Sequence, residues 1–287
     1  MAYSIQSINE YVLPACAQSE NPNQLDTIFF SDFHQNANPT IAVPSQGAVF
    51  YAPSGNGGAH TSNTAAHFEA FGITFASGVV SVSTGGTSNS TGYGGLATSA
   101  VIIPGIPTPD SGLVTKYECE ILIRTDSTIH GNSPTTNRGY YRFGFMSSTT
   151  NTVPADGVYF EFLCDGTTTD TNWNIVFRKD NSQDRVATTT AVTASKTYRL
   201  YLCVERDTSG NYLTTYKIKN LTDNTNEETT AAPTTTARYP SATGDYMGIV
   251  LTNSKITTTS TTARLVFVDY IAGRIRRPVT REILLFA

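Results

Sequence analysis

The sequence predicts an all-β protein, an antiparallel two-sheet sandwich preceded by an extended N-terminal arm. Three observations predict it. Charged residues make up 15% of the 287 residues, against a usual share of roughly 25%, and Thr, Ser, Asn and Gly take their place. Thr is β-branched and suits a pleated surface, while Asn and Gly accept turn dihedrals. Apolar residues then alternate with polar ones in short runs bounded by turn chemistry, and no helical stretch separates the runs. No repeat of fixed period occurs, which counts against a propeller or a β-helix.

Taken in order, residues 1–66 form the arm. Turn-rich segments such as Ser19-Glu20-Asn21-Pro22-Asn23 and Pro53-Ser54-Gly55-Asn56-Gly57-Gly58 separate the apolar patches Tyr11-Val12-Leu13, Ile28-Phe29-Phe30 and Ala48-Val49-Phe50-Tyr51. These patches are too short to build a core alone, so the arm is expected to pack on another surface or on copies of itself. The sandwich is expected over residues 67–275, with strands at 68–75, 79–82, 100–103, 117–124, 139–146, 157–164, 172–179, 197–205, 212–220, 246–251 and 263–272. In 197–205, Tyr198, Leu200, Leu202 and Val204 share one face, and Arg199, Tyr201, Cys203 and Glu205 the other. The Thr-rich run 227–237 is expected to be an exposed loop. A tail, 276–287, ends in Ile283-Leu284-Leu285-Phe286, whose burial requires a partner surface. Ile28, Phe29, Phe30, Ile283, Leu284, Leu285 and Phe286 are therefore the expected subunit contacts, in a homo-oligomer for which a trimer is favoured.

Charge and composition exclude several classes. The net charge is −4, without the basic footprint of a nucleic-acid binder. No apolar run of about 18 residues occurs, so no membrane insertion is expected. Met1-Ala2-Tyr3-Ser4-Ile5 lacks the basic and apolar regions of a secretory signal. Cys16, Cys119, Cys164 and Cys203 form no metal spacing, and the last three sit in apolar strands as expected buried thiols.

Signals for chemistry are sparse. Glu118 and Glu120, two apart on one strand, project from one face, as a glycosidase acid pair would. Asp156 and Glu161 are a second pair. The third acid usual in jelly-roll glycosidases is missing, so Glu118 and Glu120 are expected on a solvated sheet face. His34, His60, His67 and His130 lack metal-ligand spacing, and no GxSxG elbow occurs. Gly85-Gly86 and Gly94-Gly95 are placed in loops with no helix following. The acids Asp165, Asp170, Asp180 and Asp184 lack a dense calcium-loop pattern, and no cofactor or metal is expected. Among the aromatics, Trp173, Tyr140, Tyr141 and Tyr159 are the candidate glycan-contact set, weighed against ordinary core packing.

Residues 140–277 resemble the concanavalin A-like lectin/glucanase jelly rolls of structural proteins in tailed bacteriophages. The likeness is carried by Gly139-Tyr140-Tyr141-Arg142-Phe143-Gly144-Phe145, Asp156-Gly157-Val158-Tyr159-Phe160-Glu161-Phe162 and Trp173-Asn174-Ile175-Val176-Phe177-Arg178. It continues in Lys196-Thr197-Tyr198-Arg199-Leu200 and in the closing run Val266-Phe267-Val268-Asp269-Tyr270-Ile271. The resemblance covers about half the chain, omits the arm and transfers no catalytic residue. It implies a jelly-roll fold and a place in the virion, with synthesis in the host cytoplasm. Two functions follow as expectations. One is a non-enzymatic capsid decoration, cement or head-fibre protein with capsid or tail proteins as partners. The other is a tail-fibre receptor-binding module that recognises host glycans. Polysaccharide hydrolysis ranks below both, and the absence of a heptad shaft favours the structural reading.

Overall fold

A computed structural model describes residues 24–31, 50–55, 57–62, 79–86, 92–98, 116–131, 138–206, 211–240, 247–256 and 262–278. The strands are β1 (Gln24–Ser31), β2 (Phe50–Tyr51), β3 (Ser54–Gly55), β4 (Ala59–Ser62), β5 (Val80–Ser83), β6 (Tyr93–Thr98), β7 (Lys116–Thr125) and β8 (Gly139–Met146). They continue with β9 (Gly157–Cys164), β10 (Asn172–Lys179), β11 (Ser182–Ala191), β12 (Thr197–Arg206), β13 (Tyr212–Asn220), β14 (Thr225–Ala231), β15 (Gly248–Lys255) and β16 (Leu265–Pro278). Among the described residues the helical content is one 3-10 turn, Thr236–Arg238.

The strands form two eight-stranded antiparallel sheets. The first runs β14-β13-β12-β7-β16-β5-β4, with β1 also on β16, and the second runs β11-β10-β9-β8-β15-β6-β2, with β3 also on β6. The expected all-β sandwich is therefore observed. Its core lies between the sheets, where alternate residues of each strand meet. Tyr117, Cys119, Ile121 and Ile123 of β7 and Tyr198, Leu200, Leu202 and Val204 of β12 face Tyr141, Phe143 and Phe145 of β8, Phe160 and Phe162 of β9, and Trp173, Ile175 and Phe177 of β10. Aromatic rings fill it edge to face, with Trp173 6.3 Å from Phe160 and 6.0 Å from Tyr198 between centroids, the arrangement their quadrupoles favour. Cys119, Cys164 and Cys203 are buried free thiols, as expected of small apolar side chains.

Several expectations change. The arm is not separate where it is described: β1 pairs with β16 from Gln24↔Pro278 to Ser31↔Ile271, and β2, β3 and β4 pair with β6 and β5. Residues 28–30 thus belong to a strand of the chain's own sheet. The reason is edge satisfaction. β5 covers only residues 265–268 of one β16 edge, and β1 takes up the backbone groups beyond. The last strand also outruns its expected end, because Gly273 is an inner-face position rather than a terminator. A Cβ there would come within 2.0 Å of Ile249 Cδ1 on the opposite sheet. Residues 283–286, 68–75 and 100–103 lie outside the described residues.

Besides the short β3 and β4, three strands were not expected. In β6, Gly94 and Gly95 are strand residues and not loop, and a Cβ on Gly95 would meet the Leu251 carbonyl at 2.6 Å. β11 and β14 are outermost strands with mostly polar, exposed side chains, so their alternation is invisible to a reading based on hydrophobicity. Half of the supposed Thr-rich loop is β14, held by backbone pairing with β13.

Candidate functional site

The alternation of a strand splits the four candidate aromatics. Tyr141 and Trp173 point into the core, whereas Tyr140 and Tyr159, one step out of phase with core neighbours, lie on the outer face of the second sheet. All four are buried. They form no single stacking platform, which corrects the expectation that they would meet: neighbouring residues on a strand cannot share a face.

The two outer tyrosines sit in a charged cluster that carries the most chemistry among the described residues. Register brings Arg142 of β8 opposite Glu161 of β9, and Arg142 Nε donates to Glu161 Oε2 at 2.6 Å. Arg185 of β11 reaches Glu161 Oε1 at 3.1 Å and Asp170 Oδ2 at 2.5 Å through Nη2. Asp170 also accepts from the Leu163 amide at 2.7 Å, which fixes it beside β9. The Arg142 guanidinium lies 3.8 Å over the Tyr140 ring, a cation–π contact, and the Tyr140 hydroxyl donates to the Asn151 carbonyl at 2.5 Å. Arg178 stands on the same face of β10, its Nη1 donating to Gln183 Oε1 at 2.6 Å. Burial lowers the affinity of Arg142 and Arg185 for their protons, but Glu161 and Asp170 outweigh it and hold both above the ordinary arginine value. Burial pushes the Tyr159 hydroxyl well up, with Glu161 adding and Arg142, Arg178 and Arg185 opposing, so that hydroxyl lies within electrostatic reach of all four.

The acid pair Glu118 and Glu120 occupies the outer face of the first sheet. The expected solvated face is not observed: Glu118 is 2% exposed and Glu120 0%. Tyr201 Oη donates to Glu118 Oε1 at 2.6 Å, and Arg274 Nε and Nη2 each approach Glu118 Oε2 at 2.5 Å. Tyr270 donates to Glu120, and Arg199 Nε lies 3.6 Å from it. The two tyrosines and two arginines come from β12 and β16, the strands flanking β7, and their long side chains cover the acids. Burial raises the Glu118 carboxyl, but Arg274, Tyr201 and Lys116 outweigh it and leave it below its ordinary value. For Glu120 burial wins over Tyr270, Arg199 and Lys217, and the carboxyl is pushed up to about 7.

The remaining expected residues have local tasks. Asp165 accepts from the amides of Thr167 and Thr168, Asp156 from the amide of Asp180, and Asp184 from Thr234. His130 lies 2.9 Å from Asn253 through Nε2, and no group of three potential metal ligands occurs among the described residues. Arg142, Arg178, Arg185 and Arg274 were missed as functional candidates. For Arg142, Arg178 and Arg274 a signal was available, since each alternates with residues of the inner face; for Arg185, on the polar strand β11, it was not.

No protein-family model matches the chain, and no curated protein matches it. Solved structures do. A protein of unknown function from Shewanella oneidensis MR-1 aligns with a TM-score of 0.56 at 14% identity, covering 89% of each chain. Basic winged bean lectin, solved with Tn-antigen, aligns at 0.54 and 10% identity over 88% of this chain and 100% of its own. Peanut lectin, solved with a nonamer peptide, aligns at 0.53 and 10% identity over 88% and 97%. The sandwich is lectin-like. At this identity the likeness establishes the concanavalin A-like jelly roll, the fold anticipated from the strand motifs, and in the lectin-like sandwich both charged clusters lie on outer faces.

Proposed function

We propose that this chain is a non-catalytic surface protein of a bacteriophage virion that acts by contact and recognises carbohydrate through its lectin-like sandwich. The observation that carries the carbohydrate reading is the fold, shared along nearly the whole described topology with lectins. The non-catalytic reading is supported by the state of the acids. Glu118 is held by Arg274 and Tyr201, Glu161 by Arg142 and Arg185, and a carboxylate committed to a buried ion pair is not the protonated acid that a glycosidic oxygen requires. The virion placement is supported by the resemblance of strands β8, β9, β10, β12 and β16 to phage jelly-roll modules.

Within a particle, a tail-fibre module that binds host glycans fits the lectin-like fold best. Capsid decoration is the second reading, supported by the same resemblance. Binding of the full-length chain to an array of bacterial surface glycans, with capsid-bound copy number measured on purified particles, separates them. Glycan binding with few copies supports the receptor reading; no glycan binding with copies in the hundreds supports decoration. A homotrimer is expected in either case, read by light scattering on the full chain.

A further inference from the structure

We propose that Glu227 and Asp184 latch the two sheets together along one edge of the sandwich, and that acid releases this latch while the core stays packed. β14 ends the first sheet and β11 ends the second, and both are mostly polar and exposed. Among the described residues no backbone pairing joins them: β11 pairs with β10, and β14 with β13. Carboxylates make the connection instead, one from each sheet. Glu227 of β14 accepts from the Thr189 amide of β11 with both oxygens, at 2.9 and 3.1 Å, and from Thr190 Oγ1 at 2.6 Å. In return Asp184 of β11 accepts from the Thr234 amide at 2.9 Å and the Thr234 hydroxyl at 2.6 Å. Thr234 lies on the strap that follows β14, residues 232–240, which ends in a plug. The Tyr239 ring is 1% exposed, 5.2 Å from Phe177 of the second sheet and 4.8 Å from Tyr212 of the first.

The chemistry of the latch makes it acid-sensitive, because every group facing the two carboxylates is a donor. Glu227 also faces Tyr216 of β13, whose hydroxyl donates to it at 2.7 Å, and Asp184 faces Arg238 of the strap, whose Nε lies at 3.6 Å. A protonated carboxyl turns a donor of its own toward these donors and loses the charge that strengthens their bonds. Burial raises the Glu227 carboxyl, but Thr190, Thr189 and Tyr216 outweigh it and leave it below the ordinary 4.5. Thr234 lowers the Asp184 carboxyl below the ordinary 3.8, against a slight effect of burial and with help from Arg238. Both contributions are therefore complete above the ordinary values and are lost as pH falls below them. Little else holds the strap, in which Tyr239 and Pro240 are the buried residues and 234–237 are exposed. Segments with so few buried apolar contacts open locally at low cost. Release uncovers Phe177 and Tyr212 and frees the Thr189 amide, turning a closed edge into an adhesive one.

The test is amide hydrogen exchange of the full-length chain, read by mass spectrometry from pH 7 to pH 3 and corrected for the intrinsic rate at each pH. Residues 187–192 and 225–240 are expected to exchange at least tenfold faster at pH 3, while β7, β8 and β12 keep their protection. Trp173, the single tryptophan of the chain and a core residue, is expected to keep its emission over the same range. At pH 7, Glu227→Gln and Asp184→Asn are each expected to speed exchange of the same segments at least fivefold and to flatten its pH dependence. Loss of protection throughout the chain at the pH where the edge opens overturns the proposal, since acid then unfolds the sandwich instead of releasing a latch. Wild-type edge exchange that does not change with pH overturns it as well, and so does wild-type exchange in both variants at pH 7.

Discussion

Glu118 and Glu120 show how two residues of one type, two positions apart, acquire opposite behaviour. Glu118 has two arginine nitrogens on one oxygen and a tyrosine on the other; Glu120 has a tyrosine, a more distant arginine and an oxygen, Oε2, without a partner. The folded chain keeps a proton on Glu120 up to about 7, where an ordinary glutamate near 4.5 has lost it. This group's contribution to stability is therefore complete below about 4.5 and is lost as pH rises through about 7, an effect of roughly 3 kcal/mol. Glu118 runs the other way, contributing above 4.5 and losing that contribution as pH falls below it. Glu120→Gln is expected to remove the loss between pH 5 and 8, as read from urea midpoints across pH. Glu118→Gln leaves Arg274 buried without its carboxylate and is expected to cost about 3–5 kcal/mol at neutral pH; a midpoint within error of wild type would refute that.

At the scale of elements, the β10–β11 hairpin has the most local explanation. Asp180 and Asn181 both have positive φ, 49° and 64°, as the two central residues of a type I′ turn require, and that turn matches the twist of the flanking strands. Asn181→Gly should be neutral or slightly stabilising, whereas Asn181→Val forces a β-branched residue into the left-handed region and should cost about 1–2 kcal/mol. The sequence reading of strands was good where one face is apolar, as in β7–β10 and β12. It failed at β11 and β14, where both faces are polar and only pairing with β10 and β13 holds the chain extended. In β16 the expected strand is present, but a plain alternation would misplace its faces, because Asp269 falls at a register irregularity between Val268 and Tyr270. That extra residue switches the inward face, putting Val266, Val268 and Ile271 in the core and Tyr270 and Arg274 outside beside the acids.

For the whole molecule, topology decides when the fold can close. β15 lies between β8 and β6, and β16 between β7 and β5, so strands from the last 40 or so residues occupy the middle of both sheets. A chain truncated before Leu265 is expected to be insoluble, since β7 and β5 would present bare edges and the core would lack its central strand. Deletion of residues 1–66 removes β1 to β4 and bares β16, β5 and β6. Light scattering should find it aggregated; a monodisperse truncated protein would show that these strands are dispensable. Far-UV circular dichroism of the full chain is expected to show helix below about 20%, well under the globular average.

Alternation, turn residues and composition were enough to establish an antiparallel sandwich and to locate most of its central strands, because a period of two is a local property of the chain. Which strands are neighbours was settled by tertiary structure, and so was every feature of the candidate sites. Arg142 meets Glu161, and Arg274 meets Glu118, across ladders whose partners are 19 and 156 residues apart. Whether an outward-facing acid is solvated or buried depends on the long side chains of the strands beside it. Burial and charge pairing are properties of neighbours in space, and no pattern along one strand encodes them.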